Sequence, residues 1–89
     1  MNAGGNTSVQ SAAVGTNYAT FAAQACTQVT IVNDTGTDVE FRQDAAGVAL
    51  TVKDGNIFSI FGLTNASQIG VRRKDTSNTQ VTVKARWES

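Results

Sequence analysis

From Cys26 onward, apolar and polar positions alternate with a period of two, the spacing of a strand buried on one face. Val29 and Ile31 alternate with Gln28 and Thr30, which predicts a strand near 26–32, closed by the turn residues Asn33-Asp34-Thr35-Gly36. Val39 and Phe41 alternate with Asp38, Glu40 and Arg42. Asp44-Ala45-Ala46-Gly47 breaks that strand, and Val48, Leu50 and Val52 alternate with Ala49 and Thr51 in the next. Lys53-Asp54-Gly55-Asn56 is a hairpin signal, because Asp-Gly suits the type I′ turn that matches strand twist. Ile57 to Phe61 is apolar on both faces and reads as a central strand, followed by a loop over 62–67. Ile69 and Val71 mark a further strand, and Lys74 to Asn78 a further turn. The last strand places Val81, Val83, Ala85 and Trp87 inward, with Gln80, Thr82, Lys84, Arg86 and Glu88 outward. Together these segments predict an all-β fold, a small antiparallel β-sandwich or barrel of about six strands.

Composition supports that reading and sets one region apart. Val and Ile number fourteen against three for Leu and Met, and β-branched side chains sit better on a pleated surface than on a helix. The first 33 residues carry no charged side chain, although the chain as a whole has seven acidic and seven basic residues. There Val9, Val14, Tyr18 and Phe21 are scattered among Gly, Ala, Ser, Thr, Asn and Gln. So little apolar area does not offset an ordering entropy of about 1–2 kcal/mol per residue. The stretch is therefore either a solvated tail or an arm that packs on another subunit through those four anchors. Ala19 to Ala25 fits a short helical turn or the lead-in to the first strand equally well. The expected division is an extended N-terminal arm over 1–25 and a β-sandwich domain over 26–89. Removing residues 2–20 should then leave the sandwich folded.

The candidate chemistry is sparse. A chain with no histidine and a single cysteine lacks the usual zinc ligands and the usual nucleophile–base pair. Cys26 reads as a buried structural thiol, and no intramolecular disulfide is possible. Asp38 and Glu40 share a strand face but read as solvated, and Asp54-Gly55-Asn56 is a turn without the remaining ligands of a calcium loop. The formal net charge is zero, and Arg72-Arg73-Lys74 is the one local cluster of charge. An isolated cluster without interleaved aromatics does not make a nucleic-acid face. It reads as an inter-subunit salt-bridging patch or a solvated strand end. No apolar run reaches the length of a membrane span, and no secretion signal is visible. The glycosylation-like triplets at Asn6, Asn33 and Asn65 are then chance products of an Asn-, Ser- and Thr-rich chain. No catalytic residue, metal site or cofactor is expected. A short chain without disulfide or metal leaves oligomerisation as the remaining source of stability.

Ile31-Val32-Asn33-Asp34-Thr35-Gly36, Gly62-Leu63-Thr64-Asn65-Ala66, Val71-Arg72-Arg73-Lys74-Asp75 and the closing Val81-Thr82-Val83-Lys84-Ala85-Arg86-Trp87 carry a family resemblance. Over residues 26–89 the chain resembles small virion proteins of tailed bacteriophages and prophages, nearest the capsid-decorating (cement) type. That resemblance implies a non-enzymatic structural protein, self-associating as a trimer, which binds the major capsid protein or another virion protein. Its place would be the virion, assembled in the host cytoplasm, with neither nucleic acid nor membrane as partner. The expected assembly interface comprises Val9, Val14, Tyr18, Phe21, Arg72, Arg73 and Lys74. The alternatives are a tail or head–tail accessory protein and a sugar- or receptor-binding sandwich, for which a groove lined by an exposed aromatic would speak.

Overall fold

The Val-, Ile- and Thr-rich segments form strands throughout, and the computed structural model describes residues 3–89. Eight strands follow one another: β1 (Gly4–Gln10), β2 (Ala19–Thr20), β3 (Gln28–Val32), β4 (Val39–Gln43), β5 (Ala46–Val52), β6 (Ile57–Phe61), β7 (Ile69–Arg73) and β8 (Thr82–Glu88). A single 3-10 turn, Ala66–Gln68, precedes β7. The strands make two four-stranded antiparallel sheets, ordered β1-β8-β3-β6 and β2-β7-β4-β5. That order is the jelly roll, two Greek keys folded face to face. Val29, Ile31, Val83 and Ala85 from the first sheet meet Val39, Phe41, Ile69 and Val71 from the second in one core.

The six strands expected from the alternation are all present, and the other two come from the stretch read as an arm. Over its described residues that stretch is part of the sandwich. β1 pairs along its whole length with β8, from Gly4 opposite Glu88 to Gln10 opposite Thr82. Phe21 is 1% exposed in the core of its own chain, and Val9 packs against that core. The physical reason is that β1 borrows bulk from its neighbour. Gly5 lies opposite Trp87, and a Cβ on Gly5 would stand 3.0 Å from the indole Nε1, so the ring occupies the space that a side chain would fill. Trp87 is accordingly half-buried, inward as its register requires but covered by a glycine strand. Gly15 admits no side chain at all, because a Cβ there would overlap the carbonyl oxygens of Thr76 and Ser77.

Turn chemistry fixes the registers. Asp44 and Ala45 both have positive φ, 55° and 52°, in the two-residue connection between Gln43 and Ala46 that a type I′ hairpin requires. Asn33 is buried and fully engaged. Its Nδ2 donates to the carbonyls of Thr37 and Val52, both at 2.8 Å, and its Oδ1 accepts from Thr35. This amide ties the β3–β4 turn to the end of β5, so the triplet at Asn33 offers no accessible acceptor for a glycan.

One strand departs from its expected place. β6, apolar on both faces, is an edge strand rather than a central one, hydrogen-bonded to β3 alone. A continuous apolar run states that both faces avoid water. Whether the chain itself supplies the cover is settled by topology.

Candidate functional site

Because β6 ends one sheet and β5 ends the other, the two edge strands border the same side of the sandwich, joined by the turn at 53–56. Register decides which side chains face the gap. Leu50 lies opposite Phe41 in the β4–β5 ladder, and Phe58 meets Phe41 with ring centroids 5.2 Å apart at 52°. On the other face of β6, Ile57 and Phe61 lie opposite Val32 and Gln28 of β3. Val48 is 87% exposed, Phe61 68% and Ile57 66%, with Leu50, Phe58 and Val32 also open to solvent. A cleft of about 330 Å³ runs between the strands, with Phe41, Leu50, Phe58 and Ile60 on its walls. Among the described residues, Val14 is the one large exposed apolar side chain outside this region. Scattered surface apolar residues need no explanation, but a concentration of them along two edge strands makes this rim the candidate contact surface.

The interface expected from the sequence is distributed otherwise. Phe21 is spent in the core and Val9, on the inward face of β1, packs against it, so of the apolar anchors only Val14 is exposed. The basic cluster is satisfied within the chain. Arg72 Nε donates to Glu40 Oε1 at 2.6 Å, Arg73 forms a two-point pair with Asp75, and Lys74 Nζ donates to Thr51 Oγ1 at 2.6 Å. Antiparallel pairing explains this, since β4 brings Glu40 directly opposite Arg72. Glu40 is therefore an ion-pair partner rather than a solvated carboxylate, while Asp38 accepts from the Asp54 amide at 3.0 Å. Tyr18 lies against the guanidinium groups of Arg42 and Arg72, 4.0 and 4.5 Å from its ring centroid. Sequence reasoning missed the β5–β6 rim; its signal was Ile-Phe-Ser-Ile-Phe, a strand with large apolar residues on both faces beside an ordinary alternating one.

Reactive groups are scarce. Cys26 is buried, and that burial pushes its thiol up from the usual cysteine range, which disfavours the nucleophilic thiolate. No cluster of three or more His, Cys, Asp or Glu exists among the described residues. Besides this one thiol, the buried side chains of the described residues are aliphatic and aromatic with the polar Ser11 and Asn33, so the donor set does not fit a transition-metal centre. No helix of the described residues is long and apolar enough to cross a membrane.

No family model matches the chain, and no curated protein matches it in sequence. Its fold is similar to that of solved structures. Protein NMB1881 from Neisseria meningitidis superposes with a TM-score of 0.59 at 10% identity, covering 97% of this chain and 74% of that one. A cupin domain from Bordetella pertussis does so with a TM-score of 0.59 at 11% identity, covering 97% and 81%. That fold carries many enzymes as well as binding and structural proteins, and likeness at such low identity extends to architecture alone. The chain has the cupin-type β-sandwich fold.

Proposed function

We propose that this protein is a non-enzymatic structural component of a bacteriophage particle, of the capsid-decorating (cement) type, and that it assembles through the β5–β6 rim. The observation that supports this reading is β6 itself, a strand with the composition of a sheet centre at a sheet edge, with Ile57 and Phe61 facing water. Such an edge pairs with another chain through its free backbone groups and buries its side chains in the contact. The reading favours self-association, as a trimer, with the remaining rim or the turn at 53–56 available to the major capsid protein or another virion protein. Jelly rolls serve widely as viral capsid domains, which suits the proposal without deciding it. Docking by the N-terminal stretch is no part of it, since that stretch is folded into the sandwich.

Sedimentation at micromolar concentration tests the self-association. The expected species is an oligomer that persists at high salt, because the contact is apolar, and that reverts to a folded monomer in the Ile57→Ser, Phe61→Ser double variant. A well-folded 9.3 kDa monomer from the unaltered chain would overturn the rim as an assembly surface. Locating the chain in purified particles by electron microscopy tests the virion assignment. Density on the shell exterior is expected, and absence from the particle would refute it.

A further inference from the structure

On the outer face of the second sheet, a pocket of about 670 Å³ opens between the 16–20 segment, the β4–β5 turn and the 3-10 turn. Its size lies within the range of roughly 300–1,000 Å³ usual for small-molecule sites. Gly70 leaves its floor bare: a Cβ there would come within 3.2 Å of Tyr18 Cβ, so glycine is what lets the tyrosine ring lie across β7. Arg42 is opposite Gly70 in the β4–β7 ladder and Arg72 stands two residues further along β7, which places both guanidiniums against that ring.

The two arginines differ in one respect. Arg72 is neutralised by Glu40 and also donates to the carbonyl of Thr16 at 2.8 Å. Arg42 forms no ion pair among the described residues, and its Nε is shut off from solvent with no hydrogen-bond partner. Closed to solvent, that Nε is closed to a ligand as well, and what Arg42 offers the pocket is its charge and its terminal nitrogens. Asp44 lines the same pocket but does not pair with Arg42, and it sits with Ala45 in the left-handed turn. The row Glu40–Arg72–Tyr18–Arg42 thus ends in one unmatched positive fork.

We infer that this pocket binds a hydroxylated monocarboxylate of the uronic acid class, its carboxylate on Arg42. A flat guanidinium held against an aromatic ring is preorganised for the planar, singly charged carboxylate. Thr16, Asn17, Thr20 and Ser67 line the rest of the pocket, a set of hydroxyl and amide groups that suits a ring of hydroxyls rather than an apolar body. Only one positive charge is unmatched, so a doubly charged phosphate monoester fits less well. Arg42 also lines the β5–β6 cleft, but its guanidinium lies against Tyr18 on the outer face, and the proposed binding does not depend on the assembly reading.

The test is a titration of the full chain with D-glucuronate, followed by amide and side-chain NMR shifts. The expected result is saturable shifts at Tyr18, Thr20, Arg42 and Gly70, absent with D-glucose, and affinity weakened about tenfold or more in Arg42→Gln. Shifts of equal affinity with glucose would overturn the role of the carboxylate, and equal or tighter competition by inorganic phosphate would overturn the ligand class. No saturable shift with glucuronate would overturn the site. Should Arg42→Gln fail to fold, the glucuronate, glucose and phosphate titrations of the unaltered chain still decide the outcome.

Discussion

The sandwich has two long sides, and they are finished differently. On one side β1 and β2 end the sheets, and their residues are glycine, small polar side chains and few apolar groups. On the other, β5 and β6 end the sheets with Val48, Leu50, Ile57, Phe58 and Phe61 exposed. Natural sheets blunt their edges with short strands, polar residues and irregularity, which is how the first side is built. The second keeps the composition of an interior. Two edges of one small domain thus diverge in composition, and the proposed assembly accounts for the difference by covering one of them.

Removing β1 tests the finished side most severely. Deleting residues 4–10 strips β8 of one of its two partners, leaving β3, and uncovers Trp87, so the cooperative thermal transition should disappear from circular dichroism. A truncated chain that melted like the full one would return the segment to the status of a dispensable arm. Phe21→Ala probes the same side by one residue. Emptying a buried phenylalanine site should cost about 3–5 kcal/mol in urea unfolding, whereas a loss under 1 kcal/mol would show that Phe21 does not belong to the core.

On the open side the pattern reverses. Ile57→Ser and Phe61→Ser alter exposed side chains and should move monomer stability by no more than about 0.5 kcal/mol each, while abolishing self-association in sedimentation. A large stability loss in the dissociated protein would mean that the rim is part of the fold and the two sides are not distinct.

The smallest effect is electrostatic and belongs to neither edge. The hydrogen bond from Lys84 holds the Asp34 carboxyl below its ordinary range, and that from Arg73 does the same for Asp75. A depressed folded-state value contributes stability above the unfolded value, near pH 4, and loses it as pH falls through the folded one. Both carboxylates are solvent-screened. Urea midpoints should therefore fall slightly from pH 5 to pH 3, and less so in Asp75→Asn; an unchanged or steeper fall in that variant would remove Asp75 as a source.

Most of the sheet was legible in the sequence because alternation over residues 28–88 is clean and the turns are chemically explicit. β8 shows its inward set directly in Val83, Ala85 and Trp87, whereas Asp54-Gly55, which reads as a type I′ hairpin, instead carries the chain from β5 of one sheet to β6 of the other, with positive φ at Gly55 and not at Asp54. β1 was illegible because its inward positions are Gly5, Thr7 and Val9, so that only one of them is apolar. The bulk that completes it is contributed by Trp87, some 80 positions away, and no local window contains that information. The rim was half legible. Ile57 to Phe61 announced two dry faces, but a central strand and a covered edge have the same composition. The basic cluster misled for a similar reason, since the acids that neutralise Arg72 and Arg73 come from a paired strand and a tight turn.

The pairing of Gly4–Gln10 with Thr82–Glu88 also bears on how the molecule is made. Among the described strands β1 leaves the ribosome before the others, and its one sheet partner, β8, emerges after all the rest. Until then β1 has nowhere to bond, and closing a loop of that length precedes any reward from the contact, which places this step late and makes it slow. An uncharged strand of Gly, Asn, Thr and Ser, with Val9 as its one large apolar residue, is a poor nucleus for misassembly while it waits. The weak pattern that hides β1 from a reader of the sequence also hides it from wrong partners in the nascent chain.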